Sequence, residues 1–188
     1  MAHGPARDTD FHGYGSSIRE RLADLVPSDE PACVLDVGTG MATTVRFLLG
    51  HLSRKSLVWS LDPSEDVIAQ ARTAFTAKDM RRIRFVRGVA DSMDFEDACF
   101  DVVISVMAMH HIEAASKSVS EMARVLKPSG RLVIVDFSPR AHTLEFQSRH
   151  AKEDFFTSAS ISKAARAAGL TPRVEDHDMW YLVEATKG

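Results

Sequence analysis

The chain has 188 residues, of which 45% are hydrophobic and 26% charged. That is the make-up of one ordinary globular domain spanning 1–188, not of a disordered segment or two comfortable domains. A formal net charge of -3 excludes a grip on nucleic acid built from concentrated Lys and Arg, and the run Lys78, Arg81, Arg82, Arg84, Arg87 reads as a solvated face.

Taken in chain order, residues 1–30 read as an N-terminal lid segment. Residues 11–16 are Gly-rich and carry Phe11, His12 and Tyr14, and 17–25 suit a short helix. Cys33–Val37, Leu57–Asp62, Ile83–Arg87, 101–106 and 131–137 are short, nearly continuous runs of Val, Ile and Leu, as strands buried on both faces require. Helical spacing predicts helices over 43–52, 64–80, 114–126 and 160–168. The second opens on Pro63, Ser64, Glu65 and Asp66, a cap with an acidic first turn. The third stops before the Pro128-Ser129-Gly130 turn. Strands alternating with helices imply right-handed crossovers and a parallel sheet. After Gly169 the rhythm changes, and 171–176 and 180–186 predict an antiparallel hairpin at one sheet edge. The expected fold is α/β: a doubly wound, mostly parallel seven-stranded Rossmann-like sheet with an antiparallel C-terminal strand hairpin.

Two cysteines, Cys33 and Cys99, make neither a disulfide framework nor a zinc site. No apolar stretch approaches about 18 residues, and the first ten residues lack a signal-peptide core, so a cytoplasmic protein without membrane insertion is expected.

The strongest local signal is Val34-Leu35-Asp36-Val37-Gly38-Thr39-Gly40, where a strand ends in a glycine turn before a helix. Gly38 can take backbone angles closed to other residues, and Gly40 lets a ligand approach the main chain. Asp62 ends the second strand, where an acidic side chain accepts hydrogen bonds from ribose hydroxyls. Together they point to an adenosine-bearing cofactor. A dinucleotide fingerprint wants a glycine where Thr43 stands, and the carboxylate of Asp36 repels pyrophosphate while suiting the ammonium and sulfonium of S-adenosylmethionine.

Five ordered motifs carry a resemblance: Leu35-Asp36-Val37-Gly38-Thr39-Gly40, Leu61-Asp62-Pro63-Ser64, Phe100-Asp101-Val102-Val103-Ile104-Ser105, Met109-His110-His111-Ile112, and Arg124-Val125-Leu126-Lys127-Pro128-Ser129-Gly130-Arg131-Leu132. Through them the chain resembles the class I S-adenosylmethionine-dependent methyltransferases, in particular the group that includes the ubiquinone and menaquinone C-methyltransferases. The resemblance implies cofactor contacts at Asp36, Gly38, Thr39, Gly40, Asp62, Pro63 and Ser105. It also departs from the pattern: Ala42 stands for a third glycine, and Val89 replaces an acid that usually meets adenine, leaving the Ala90 amide and Asp91 to serve the ring.

Candidates for chemistry are His110 and His111, which follow the fourth strand, and Tyr14 in the lid segment; any of them would remove a proton from a carbon or oxygen acceptor. The family resemblance implies a structural role for its His-His pair. A metal set of His110, His111, Asp136 and His142 lacks any familiar ligand spacing, and adjacent histidines on a strand end are expected to point apart, so no metal site is expected. The partner expected is a small-molecule acceptor, with no nucleic acid and with a homo-oligomer left open. Two further readings stand beside methyl transfer: an inactive S-adenosylmethionine-binding module serving a partner, and an NAD-linked oxidoreductase.

Overall fold

The structure is a computed structural model in which residues 15–139 and 155–188 are described. The apolar runs form strands β1 (Cys33–Val37), β2 (Leu57–Asp62), β3 (Ile83–Arg87), β4 (Phe100–Val106), β5 (Leu126–Phe137), β6 (Leu170–Asp176) and β7 (Trp180–Lys187). They build one seven-stranded sheet in the order β3-β2-β1-β4-β5-β7-β6. The pairings from β3 to β5 are parallel, while β5–β7 and β6–β7 are antiparallel. This is the doubly wound sheet with a terminal hairpin that the sequence predicts.

Helices α1 (Gly15–Leu25), α2 (Thr43–His51) and α3 (Glu65–Arg72) cover one face of the sheet; α4 (Ala115–Val125) and α5 (Ser158–Ala167) cover the other. Strand side chains alternate between the faces. Val34, Val58, Ile104 and Val133 pack with Ile18, Leu22, Leu48 and Ile68 on the first. Leu35, Val103, Leu132 and Val183 pack with Val119, Met122, Ile161 and Ala165 on the second. The chain runs from β1 outward through β2 and β3, and from β4 outward the other way. Adjacent β1 and β4 therefore diverge, and the crevice at their carboxyl ends is the usual ligand position of an open α/β sheet.

Two elements differ from the sequence reading. The helix predicted over 64–80 starts as expected, with the Ser64 hydroxyl accepting from the Val67 amide at 3.3 Å, but it ends at Arg72. Thr73 Oγ1 donates to the Gln70 carbonyl at 2.7 Å, and the Asp79 carboxylate accepts from the Thr76 amide and hydroxyl at 3.0 and 2.7 Å. Short polar side chains thus offer the backbone a local alternative to the helix. The Pro128-Ser129-Gly130 turn is not a loop between α4 and a strand starting at 131: β5 begins at Leu126 and carries the turn as an irregularity against β4. Ser129 takes the left-handed conformation at φ 62. Lys187 Nζ donates to the carbonyls of Ala123, Arg124 and Leu126 at 2.7, 3.3 and 2.6 Å. A cation there satisfies carbonyls that the end of α4 leaves open.

Candidate active site

A cleft of about 1030 Å³ opens at the carboxyl ends of β1, β2 and β4. Its floor is the loop after β1. Gly38 sits at φ 96 and Gly40 at φ 46, and the amides of Gly38 and Thr39 donate to the Leu61 carbonyl at 2.9 and 3.3 Å. A Cβ atom on residue 40 would meet nothing within 4 Å, so the main chain faces open space there.

Asp62 fixes the rim. One carboxylate oxygen accepts from the Gly40 amide at 3.3 Å and the other from the Ser64 amide at 3.0 Å. The carboxylate therefore ties the glycine loop to the start of α3 while its residue lines the cleft. The Gly88 amide donates to the Asp62 carbonyl at 3.1 Å, which brings the loop after β3 to the same wall.

That loop is held from behind by α4. Arg124 donates to the carbonyls of Phe95 and Met93 at 2.7 and 3.0 Å and pairs with Glu121 and Asp97, both at 2.8 Å. Glu121 in turn accepts from the Met93 amide at 2.8 Å. Its bonds to Arg124 hold the Glu121 carboxyl below the usual range and push the Arg124 guanidinium up.

Of the residues singled out from sequence, Gly38, Thr39, Gly40, Asp62, Pro63, Ala90, Asp91 and His111 line the cleft. Asp36 and Ser105 do not. Asp36 is fully buried beneath the floor, where Oδ2 accepts from the Ser60 hydroxyl at 2.7 Å and Oδ1 has no hydrogen-bond partner among the described residues. Burial pushes its carboxyl up to about 7; the Ser60 hydrogen bond opposes this and the charge of Asp62 adds to it. Ser105, also fully buried, donates to the Val37 carbonyl at 3.0 Å and so braces β1 against β4.

The two histidines part company in environment while touching each other. They lie on a 3₁₀ turn, Met109–His111, and their ring centroids are 4.1 Å apart, so the expectation that they point apart is corrected; a tight turn, not a strand end, sets their directions. His110 is buried. Its Nδ1 lies 2.6 Å from Asp136, and its backbone amide donates to the same carboxylate at 3.0 Å. The Phe137 amide also donates to Asp136, at 2.7 Å. Phe137 and Phe155 flank the His110 ring, with centroids at 5.2 and 5.9 Å. His111 is exposed and lines the cleft. Among the described residues, no group of three or more His, Cys, Asp or Glu is placed to hold a metal ion. Tyr14, the rest of the predicted lid segment before Gly15, and His142 lie outside the described residues.

Sequence reading missed Ser60 and the role of Asp136. Both follow from register. Asp36 pairs with Ser60 across the parallel β1–β2 ladder, so their side chains share a face, and Asp136 comes off β5 beside the turn after β4. Met107 also lines the cleft, at φ 52.

A methyltransferase-domain family profile matches residues 35–134. The chain belongs to the class I S-adenosylmethionine-dependent methyltransferase family. It is 32% identical over 164 residues to a malonyl-[acyl-carrier protein] O-methyltransferase of Herminiimonas arsenicoxydans, covering 84% of this chain and 60% of that protein. It is 30% identical over 128 residues to a demethylmenaquinone methyltransferase of Thermus thermophilus, covering 67% of this chain and 57% of that one. The chain thus spans little more than half the length of these two relatives. The crystal structure of an S-adenosylmethionine-dependent methyltransferase from Mesorhizobium loti shares the fold, with a TM-score of 0.76, 20% identity and coverage of 92% of this chain and 99% of that one. S-Adenosylmethionine is the family's cofactor.

Proposed function

We propose that the chain transfers the methyl group of S-adenosylmethionine to a small-molecule acceptor. The observation that carries this reading is the charge of the cleft: among the described residues, three carboxylates, Asp62, Asp91 and Glu113, line it against one guanidinium, Arg46. Such a set suits a ligand with an ammonium and a sulfonium and opposes a pyrophosphate. No observation favours an NAD-linked oxidoreductase or an inactive binding module.

In this reading the loop Gly38, Thr39, Gly40 takes the methionine end, Asp62 accepts from the ribose hydroxyls beside Pro63, and Ala90 and Asp91 border the adenine. The Arg124–Glu121 clamp keeps that border in place. A volume of about 1030 Å³ lies at the top of the ~300–1,000 Å³ usual for small-molecule sites, which leaves space for an acceptor beside the cofactor. The acceptor lies against Met107, His111, Ile112 and Glu113.

The cofactor supplies an activated methyl group on sulfur. The protein's work is alignment of the acceptor in line with it, worth several kcal/mol of the barrier. His111, at the cleft wall, takes the proton when the acceptor atom carries one. His110 serves as its support, held by Asp136. Tyr14 keeps its role as an acceptor-side candidate. A reducing compartment, the cytoplasm, suits the free thiols of Cys33 and Cys99.

The test has two parts. S-Adenosylhomocysteine should raise the melting temperature by mass action while NAD does not. Incubation with methyl-labelled S-adenosylmethionine and a metabolite extract, read by mass spectrometry, should yield a labelled small molecule. Stabilisation by NAD alone overturns the cofactor; label found only in protein or nucleic acid overturns the acceptor class.

A further inference from the structure

Beneath the cleft floor, three polar side chains form one hydrogen-bonded chain. Asp36 Oδ2 accepts from Ser60 Oγ at 2.7 Å, and Ser60 Oγ lies 2.7 Å from Thr39 Oγ1. Asp36 and Ser60 are fully buried and Thr39 nearly so, yet Thr39 belongs to the cleft lining. The chain therefore runs from a carboxyl sealed in the core to a residue of the cleft lining. Asp36 lies between its register partners on the two flanking strands, Ser60 on β2 and Ile104 on β4. Among the described residues, the charged group bearing on it is Asp62, which is also acidic.

We propose that Asp36, Ser60 and Thr39 act as a proton relay, through which binding of the ligand's ammonium group expels a proton from Asp36 into the cleft, with Ser60 as the positioning residue. The proposal rests on the S-adenosylmethionine reading of the cleft.

Hydroxyl groups make the relay reversible, since each is one donor and two acceptors. With Asp36 ionised, the Ser60 hydroxyl donates to the carboxylate, the Thr39 hydroxyl donates to Ser60, and Thr39 offers a lone pair to the cleft. With Asp36 protonated, its O–H donates to Ser60, Ser60 donates to Thr39, and Thr39 turns its own O–H outward. An ammonium group needs an acceptor, so it favours the first arrangement. Passage from the second to the first moves each hydroxyl proton one step outward; the proton Thr39 held towards the cleft leaves to solvent, and the carboxyl ends one proton poorer.

The carboxyl is poised for this because burial, with the Oδ1 atom unpartnered among the described residues, lifts it to about 7. A positive charge in the cleft lowers it again. Proton release and ligand affinity are then two readings of one linkage. Affinity rises with pH through neutrality, on the order of 10-fold for each pH unit by which binding lowers the carboxyl's titration point.

Titration calorimetry with S-adenosylhomocysteine, in two buffers of different ionisation enthalpy from about pH 6 to about pH 8.5, tests it. About half a proton should be released per ligand bound near pH 7, falling to none towards pH 8.5. The ligand's own α-amino group titrates near 8 and takes up a proton on binding, the opposite sign. Asp36→Asn should abolish the release and keep the uptake. Ser60→Ala removes the donor that favours the ionised carboxyl, so the midpoint of the affinity profile should move to higher pH, and Ser60→Thr should restore it. Thr39→Val, which keeps the shape of the loop residue, should leave an affinity independent of pH below 7 and gives the reading if a buried variant does not fold. Equal release in wild type and Asp36→Asn, or an unmoved midpoint in Ser60→Ala, overturns the relay while leaving the cofactor reading intact. No binding at any pH overturns the cofactor reading and the relay with it.

Discussion

Gly38 and Ala108 approach so closely that a Cβ atom on residue 38 would lie 2.4 Å from the Ala108 Cβ. The contact joins the loop after β1 to the loop after β4, the two walls of the crevice. Gly38 also sits at φ 96, a conformation that costs a side-chain-bearing residue roughly 1–3 kcal/mol. Gly38→Ala should therefore lower unfolding free energy by about 3 kcal/mol, measured by denaturant titration, and abolish S-adenosylhomocysteine binding. Ala108→Gly in the same chain should recover only the steric part. A Gly38→Ala protein with wild-type affinity would show that the crevice walls do not depend on this contact.

Asp62 carries two duties at once. Its bonds to the Gly40 and Ser64 amides are charge-assisted, and a carboxylate lost from them leaves two donors short of a partner. Asp62→Ala should weaken cofactor binding and destabilise the fold, each by about 1–3 kcal/mol. Asp62→Asn, which keeps one acceptor oxygen, should lose affinity more than stability. Calorimetry and thermal melts on the two variants separate the duties; unchanged affinity in both removes Asp62 from the site.

His110 and His111 should fail differently. His110 is buried with its ring nitrogen and backbone on Asp136, and removing one partner of a buried polar pair costs several kcal/mol. His110→Ala should lower the melting temperature strongly. His111→Asn should leave stability nearly unchanged and reduce kcat by about 100-fold, with loss of the low-pH limb of the rate profile, if an acceptor proton is removed there. A His111→Asn enzyme with a wild-type pH profile would leave alignment alone as the source of catalysis.

The ligand-free protein should grow less stable as pH rises towards neutrality because of Asp36. Its folded carboxyl titrates near 7, above the ~3.9 of an unfolded aspartate, so the folded state holds a proton that the unfolded state gives up in this window. The group's contribution is greatest below about pH 4, declines between about pH 4 and 7, and is flat above. Three units correspond to about 4 kcal/mol as an upper bound. Asp36→Asn should remove that slope from the difference between variant and wild type in chemical denaturation across the range. A parallel pair of curves would mean Asp36 is ionised throughout.

Loosening the α4 clamp should be felt in the cleft. Arg124→Met keeps the stem of the side chain but drops its bonds to Met93, Phe95, Asp97 and Glu121. The KM for S-adenosylmethionine should rise about 10-fold with a smaller change in kcat, because the loop carrying Ala90 and Asp91 loses its anchor. Hydrogen exchange over 88–97 should quicken in the same variant.

The strands and their order were legible because double burial leaves an uninterrupted apolar run, which few other environments impose. The glycine loop and Asp62 were legible because backbone freedom and a strand-end carboxylate are local properties. Depth was not. Whether Asp36 faces the ligand or hides under it depends on Ser60 from another strand, and nothing near either residue announces their pairing. The end of α3 was equally hidden, since Thr73 and Asp79 act through hydrogen bonds that helical spacing does not record. The histidine pair was visible as a pair; the choice between its members depends on Asp136, from the neighbouring strand β5.

The position of β7 bears on how the chain reaches this fold. β6 touches the rest of the sheet only through β7, which pairs on its other side with β5. The two strands can meet early, since a short turn joins them, but the resulting ribbon has no sheet to belong to until β5 is in place. Its docking pairs Phe137 with Trp180 across a long sequence separation, and loop closure is the slow, entropically costly part of assembly. Changes at the β5–β7 seam, such as at Leu132 or Val183, act on a late event and should speed unfolding more than they slow folding.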